Sequence, residues 1–290
     1  MTARASSAAW FALRHLPSPI RRPAHAVVAL GRRTRARATP IPDGPPPLLP
    51  ATAIELPTRY GTFWFDGADS KMVPWIRRHA TWEADVIRLL SSVVRPGSVV
   101  VDVGANIGFH TVVASELVGP GGRVHAFEPL PDTLLLLRAN VWRHACSNVT
   151  IHPYAVSDHL GIVHLRPDPE GLSGAALADT GLEAEAVTLD EVLAGERVDV
   201  LKVDAEGAEP LVLYGAREVL AGNPRLTAVV EFRAATHLDG RAPADVLRLY
   251  RGLGLEPCLL RSDGNALPAT NEEIIAAAGM LGTINIVLRA

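Results

Sequence analysis

The sequence predicts an open α/β fold, a parallel sheet with helices on both faces, and three observations predict it. A β-branched run, Val99–Val103, passes directly into a glycine turn and then a helical pattern. Strand-like and amphipathic helical runs then alternate along the chain, which means repeated β-α units and parallel pairing. Acidic residues recur just past the ends of the strand-like runs, and in a parallel sheet those ends share one edge.

Taken in order, Tyr60, Phe63, Trp64 and Phe65 suggest a short strand or hairpin over residues 59–66. Trp82–Val94 is apolar at helical spacing through Val86, Leu89, Leu90 and Val93, and Pro96-Gly97 ends it. Val99–Val103 is apolar on both faces, as a central parallel strand requires. Gly104 permits a positive φ, and Gly108 lets the helix over Ile107–Val118 approach the strand or a ligand. Arg123–Phe127 is a second strand. Asp132 is expected to cap a helix reaching His144. Asn148–Val156 reads as a third strand, Gly161–Leu165 as a short extra one, and Asp168–Gly181 as a loop. Thr188–Leu193 is a short helix, Val198–Asp204 the fourth parallel strand, Glu209–Ala221 its helix and Leu226–Phe232 the fifth strand. Pro243–Leu253 is a helix, and Leu255–Leu260 with Ile284–Leu288 close the sheet. Residues 234–241 and 262–278 read as loops.

Composition narrows the class. Hydrophobic residues make up 48% and charged residues 20% of the 290 residues, which fits a globular enzyme. A net charge of −3 gives no general argument for nucleic-acid binding. Cys146 and Cys258 form no paired framework and no CxxC motif, so a reducing, cytoplasmic setting without a zinc site is expected. No apolar run approaches the roughly 18 residues of a membrane span. Residues 1–57 stand apart: eight arginines precede the first acid, Asp43, and prolines then accumulate. Arg21-Arg22 precede the apolar stretch Ala24–Leu30, but Arg32-Arg33 follow at once, making a poor export core. The segment reads as a poorly ordered tail and stiff linker. The expected organisation is therefore an arginine- and proline-rich arm over 1–57, strand and helix elements packing on the core over 58–96, and a catalytic domain over 97–290.

Asp102, Glu128, Asp158, Asp204, Glu206 and Glu231 all fall at or past strand exits, so they converge in space. Glu128 sits roughly 20 residues past the glycine turn, where a nucleotide-binding α/β unit places the acid that accepts both ribose hydroxyls. Lys202, Asp204 and Glu206 alternate and so share a face. Three buried charges there require mutual pairing or a polar cleft. Lys202 suits an ion-paired structural role, and Asp204 and Glu206 suit function. A nicotinamide-dependent oxidoreductase is one alternative, but Gly104-x-x-x-Gly108 lacks the third glycine of that fingerprint. Asp102 would also repel a pyrophosphate. S-adenosyl-L-methionine, with its ammonium and sulfonium, would welcome the acid.

With these residues in place, the chain resembles the FkbM family of class I S-adenosylmethionine-dependent methyltransferases. The matching segments are Val101–Gly108 with Thr111, Phe127-Glu128-Pro129, Ala155–Asp158, Thr188-Leu189-Asp190, Leu201–Glu209 and Val230-Glu231-Phe232, in the family's order across Trp82–Leu288. Ala205 stands where the family has an aliphatic residue, and Pro210 comes early in the next helix. The resemblance implies a Rossmann-like, seven-stranded, mostly parallel sheet ending in an antiparallel hairpin. It implies that Asp102 and the backbone at Gly104 and Asn106 hold the methionine part of S-adenosyl-L-methionine, that Gly108 also belongs to the cofactor-binding set, that Glu128 takes the ribose, and that Ala155–Asp158 border the adenine. It suggests O-methylation of a hydroxyl on a sugar, glycolipid or polyketide-type natural product. The partner is then a small-molecule acceptor, without nucleic acid or stable membrane insertion, and no oligomeric state follows. An alcohol needs a positioned base, for which Asp204, Glu206 and His237 are candidates in that order; His110 suits packing. Asp204 with Glu231 could instead ligate a magnesium ion, but no compact metal motif supports this. A non-catalytic cofactor-binding module is a further alternative, disfavoured by the intact Asp204-Ala205-Glu206-Gly207 segment. Gly104→Val is expected to block the cofactor sterically.

Overall fold

Side-chain alternation within the β-branched runs builds two hydrophobic layers from one sheet. Val100, Val200 and Val229 face one layer, whereas Val101, Val103, Leu201, Val203, Ala228 and Val230 face the other. The computed structural model describes residues 48–167, 175–237 and 239–290; the arginine-rich stretch before residue 48, and 168–174 of the expected loop, lie outside the described residues.

Strands β1 (Ala53–Thr58) and β2 (Gly61–Asp66) pair as an antiparallel hairpin, followed by helices α1 (Met72–His79) and α2 (Ala84–Val93). The hairpin thus starts at Ala53, inside the stretch that composition assigned to the arm. Next come β3 (Val99–Val103), α3 (Phe109–Val118), β4 (Arg123–Phe127), α4 (Pro131–Arg143) and β5 (Val149–His152). A separate four-stranded sheet follows, from β6 (Ala155–Val156), β7 (Gly161–Pro167), β8 (Ala175–Ala178) and β9 (Leu182–Val187). The chain continues through α5 (Leu189–Val192), β10 (Val200–Val203), α6 (Glu209–Tyr214), α7 (Arg217–Gly222), β11 (Thr227–Arg233) and α8 (Pro243–Gly252). It closes with β12 (Glu256–Leu260), β13 (Ala266–Pro268), α9 (Asn271–Leu281) and β14 (Thr283–Arg289).

The central sheet runs β13-β12-β14-β11-β10-β3-β4-β5. Strands β5, β4, β3, β10 and β11 are parallel, and β14, β12 and β13 are antiparallel. From β3 the chain winds outward through β4 and β5, then returns to β10 on the other side. The winding therefore reverses between β3 and β10, and a ligand crevice opens beyond their C-terminal ends.

Several boundaries differ from the expected ones. The expected seven-stranded sheet gains an eighth strand at its edge, the three-residue β13. The expected loop over 262–278 also contains most of α9, started by a capping box in which Thr270 Oγ1 accepts from Glu273 N–H and the Glu273 carboxylate accepts from Thr270 N–H. Helix α1 is not among the expected elements; its Pro74 stands in the first turn, where a proline removes an N–H that has no helical partner. Asp132 is not the cap of α4: Leu130 is the N-cap and Pro131 starts the helix. The expected third strand divides at Pro153, and its second half joins the smaller sheet. The helix after β10 breaks at Gly215, where a Cβ would lie 2.1 Å from the Ser157 carbonyl oxygen.

Candidate active site

The crevice at the β3/β10 reversal is an open cleft. The β3 exit contributes Gly104 and Asn106, the β4 exit Phe127, Glu128 and Leu130, and the β10 exit Asp204, Ala205 and Glu206. Tyr154 and Ala155, with Leu165 and Leu177 of the smaller sheet, add an apolar wall. Among the described residues, three acids line the cleft, and no lysine or arginine does.

The turn after β3 is locked by its neighbours. Gly104 and Ala105 N–H both donate to the Phe127 carbonyl, at 3.0 and 2.9 Å. Asn106 adopts a left-handed φ of 52° and donates its N–H to Glu128 Oε2, while Leu130 N–H donates to Glu128 Oε1, each at 2.9 Å. Glu128 thereby ties the β3 and β4 exits together. Burial pushes its carboxyl up to about 7 against those two backbone donors. Each oxygen keeps a lone pair for another donor.

Gly104 has φ +72°, and a Cβ there would lie 1.8 Å from the Asp204 carbonyl oxygen. The steric expectation is thus corrected: a side chain at Gly104 first meets the protein, not a ligand. Gly104→Ala is expected to cost about 2 kcal/mol or more from the left-handed backbone and the displaced β10 exit together, read as a lowered midpoint in urea unfolding. Gly108, with φ +87°, is likewise a packing glycine, since its missing Cβ leaves room for Leu137 Cδ1 at 2.6 Å.

Beneath the cleft lies a buried charged layer. Lys202 pairs in register with Asp102 across β10 and β3. Its Nζ stands 3.4 Å from both Asp102 Oδ1 and Asp204 Oδ2, and Thr111 Oγ1 donates to Asp102 Oδ2 at 2.6 Å. Burial holds the Asp102 carboxyl above its ordinary value despite Lys202 and Thr111. Burial alone would lower the Lys202 ammonium, but Asp102, then Asp204 and Glu83, more than reverse that. Glu83 accepts from Asn285 Nδ2 at 2.7 Å and lies 3.5 Å from His110 Nε2. Its carboxyl is raised by burial and then by Asp204.

A second acidic group gathers where β10 and β11 end. Arg233 donates to Glu231 at 3.0 Å and approaches Glu206 at 3.5 Å. Burial, then Asp204, raises both the Glu206 and Glu231 carboxyls. Glu206 itself holds a left-handed φ of 52°. Glu209 Oε1 accepts from Ala205 and Gly207 N–H at 3.0 and 2.9 Å, which fixes the loop carrying Asp204 and Glu206.

The structure therefore brings Gly104, Asn106, Glu128, Ala155, Asp204 and Glu206 to one cleft. Asp102 lies one layer below it. Asp158 turns aside to pair with His159 at 2.6 Å and is not among the lining residues. His237 is not brought to the cleft: it is buried 3.7 Å from Glu209 Oε2, and among the described residues neither ring nitrogen is hydrogen-bonded. His110 is buried as expected for a packing residue. Among the described residues no cluster of three or more His, Cys, Asp or Glu could hold a metal ion. Sequence reasoning missed Glu83, which precedes the recognisable motifs, and Glu209, whose place five residues after Asp204 was visible but whose return to the loop was not.

An acidic, partly apolar cleft at the reversal point of a parallel sheet, with a buried acid at the second strand's exit, defines a class I S-adenosylmethionine-dependent methyltransferase. The acids fit a cofactor of net positive charge and would repel a pyrophosphate, the spare lone pairs of Glu128 fit a ribose diol, and the apolar wall fits a purine. The FkbM methyltransferase domain model matches residues 102–254, and the chain belongs to that family. It is 36% identical over 199 residues to the 31-O-demethyl-FK506 methyltransferase FkbM of Streptomyces tacrolimicus, covering 56% of this chain and 74% of the relative. It is 32% identical over 180 residues to the hexuronic acid methyltransferase AglP of Haloferax volcanii, covering 60% and 70%. Among solved structures, a TehB-like SAM-dependent methyltransferase from Corynebacterium glutamicum aligns over 77% of this chain and 97% of its own, at 14% identity and a TM-score of 0.44. The protein is an S-adenosyl-L-methionine-dependent methyltransferase, which sets aside the oxidoreductase and non-catalytic readings. No helix among the described residues is long and apolar enough to cross a membrane.

Proposed function

We propose that the enzyme methylates a hydroxyl oxygen of a small acceptor, a sugar, glycolipid or polyketide-type product. The observation carrying this reading is the Asp204 carboxylate, which lines the cleft with 29% of its side chain exposed and is steadied from below by Lys202. The relatives' names, a 31-O-demethyl-FK506 methyltransferase and a hexuronic acid methyltransferase, support a hydroxyl-bearing product of this kind. S-adenosyl-L-methionine supplies an electrophilic methyl group on a sulfonium leaving group. Gly104, Asn106, Glu128 and Ala155 would hold it, with Glu128 accepting from the ribose. The protein's remaining task is to keep the acceptor oxygen in line and to receive its proton. Asp204 takes that proton as the carbon–oxygen bond forms, and Glu206, whose carboxyl burial raises, passes it towards solvent.

Glu128→Ala is expected to weaken cofactor binding about 100-fold, since it removes the acceptor of the ribose and of two backbone N–H groups. Calorimetric titration checks this, and near-equal affinity would remove Glu128 from the site. The functional reading is tested by transfer of a labelled methyl group to a panel of hydroxyl, amine and thiol acceptors. Product formed on amines alone would overturn it.

A further inference from the structure

The parallel ladder releases the chain at Asp204, whose N–H donates to the Val103 carbonyl at 3.0 Å. Beyond it, Glu206 and Gly207 both hold left-handed backbone, with φ of 52° and 99°. A non-glycine residue keeps that conformation only where its surroundings enforce it. Glu209 Oε1 braces this turn, since it accepts from both Ala205 N–H and Gly207 N–H at 3.0 and 2.9 Å. The aim of the Glu206 carboxylate, and the hold on the residue after Asp204, therefore depend on where the Glu209 side chain sits.

The second oxygen of that carboxylate has no hydrogen-bond donor among the described residues, although Glu209 is fully buried. A carboxylate so buried is costly unless each oxygen finds a donor or a counter-charge. The His237 ring is placed to supply one. Its Nδ1 stands 3.7 Å from Glu209 Oε2, with both side chains 0% exposed. That is roughly half an ångström beyond an N–H···O hydrogen bond, a gap that a small rotation of the ring closes. Among the described residues neither ring nitrogen is hydrogen-bonded elsewhere, so Nδ1 is free to serve Glu209. The backbone that carries the ring is pinned. His237 N–H donates to the Arg241 carbonyl at 3.0 Å, and its carbonyl accepts from Gly240 N–H at 2.9 Å. The ring also packs 5.7 Å from that of Phe232 on β11.

We propose that His237 is a positioning residue for methyl transfer: its Nδ1–H donates to Glu209 Oε2, and Glu209 Oε1 in turn holds the loop that carries Asp204 and Glu206. The inference rests on the reading of those two acids as the proton acceptors and deepens it. His237 lies off the cleft, so its effect passes through one carboxylate and two backbone amides rather than through contact with the acceptor. Misplacing the acids by a fraction of an ångström spoils the alignment of the transition state. The loss therefore falls on kcat and not on the binding of either substrate.

The test uses the full chain with S-adenosyl-L-methionine, and its first readouts need no acceptor. The imidazole nitrogen NMR spectrum of the wild type should show a proton on Nδ1 of His237, and an unprotonated Nδ1 overturns the proposal. In amide hydrogen exchange, His237→Leu should lower the protection of Ala205 and Gly207 about tenfold and leave the core strands unchanged. His237→Asn, whose amide nitrogen sits near the place of Nδ1, should restore that protection. On the hydroxyl acceptor that turns over fastest, His237→Leu should lower kcat about 10–100-fold, with KM and cofactor affinity within about threefold. The rival donor is Tyr250, on the helix packed against α6, whose buried hydroxyl has no hydrogen-bond partner among the described residues. Tyr250→Phe should change neither exchange nor kcat. Uniformly faster exchange in His237→Leu, no local change, no rescue by His237→Asn, or the same local loss in Tyr250→Phe would each overturn the proposal. Transfer confined to amines, with Ala205 and Gly207 still loosened by His237→Leu, would overturn the hydroxyl reading and leave the positioning role standing. Transfer to a hydroxyl with a kcat that depends on Asp204 but is indifferent to His237→Leu would do the reverse.

Discussion

Asp204→Asn is expected to lower kcat by about 10²–10⁴-fold while cofactor affinity stays within about threefold. The substitution keeps the side chain's size and removes its capacity to accept a proton. Lys202 keeps its other partner, Asp102, at 3.4 Å, so the layer beneath the cleft is not stripped of its counter-charge. The backbone at position 204, which the close approach of Gly104 requires, is also unchanged. Single-turnover transfer of a labelled methyl group, beside calorimetric titration of the cofactor, separates the two effects. Parallel loss of binding and transfer would sink the division of labour, and undiminished transfer would move the base to Glu206.

Lys202→Met, in the buried layer beneath the cleft, is expected to destabilise the fold by about 3–5 kcal/mol, because it leaves a buried carboxylate uncompensated. Asp102 is 1% exposed, and its only charge-neutralising neighbour within salt-bridge distance among the described residues is Lys202. The pH dependence has a definite sign. Burial already raises the Asp102 carboxyl above its unfolded value, and losing Lys202 raises it further. A carboxyl raised in the folded state binds extra protons there, so stability falls as pH rises between the unfolded and folded values. The deficit of Lys202→Met should therefore be larger at pH 8 than at pH 5. Urea unfolding at the two pH values measures it, and a deficit independent of pH would show that Asp102 is not the group left exposed to the penalty.

Local sequence was enough to place the parallel strands and the cleft, because a valine run that ends in Gly104, and acids at successive strand exits, can hardly be satisfied by another architecture. Glu128 was legible for the same reason: its distance from the glycine turn is set by one β-α unit. Boundaries failed where a single residue carried two meanings. Pro74 stands in the first turn of one helix and Pro131 starts another, and Pro153 hands the chain to a second sheet. Motif membership also did not separate residues that line the cleft from residues that support it. Asp102, Gly108 and Asp158 belong to the matching segments, yet one is paired under the floor, one makes room for Leu137, and one turns to His159.

Residue type and spacing thus pointed to the fold class and to the acids at the strand exits, since periodicity and short-range backbone constraints are written along the chain, and the cofactor followed from the family resemblance that those motifs carry. Which of those acids meet in the open cleft was settled by packing between elements far apart in sequence. Glu83 reaches Asn285 across 202 positions, Lys202 meets Asp102 through strand register, and His237 is drawn inward to Glu209. Contacts of that range depend on how helices close over the sheet, and no local pattern encodes them.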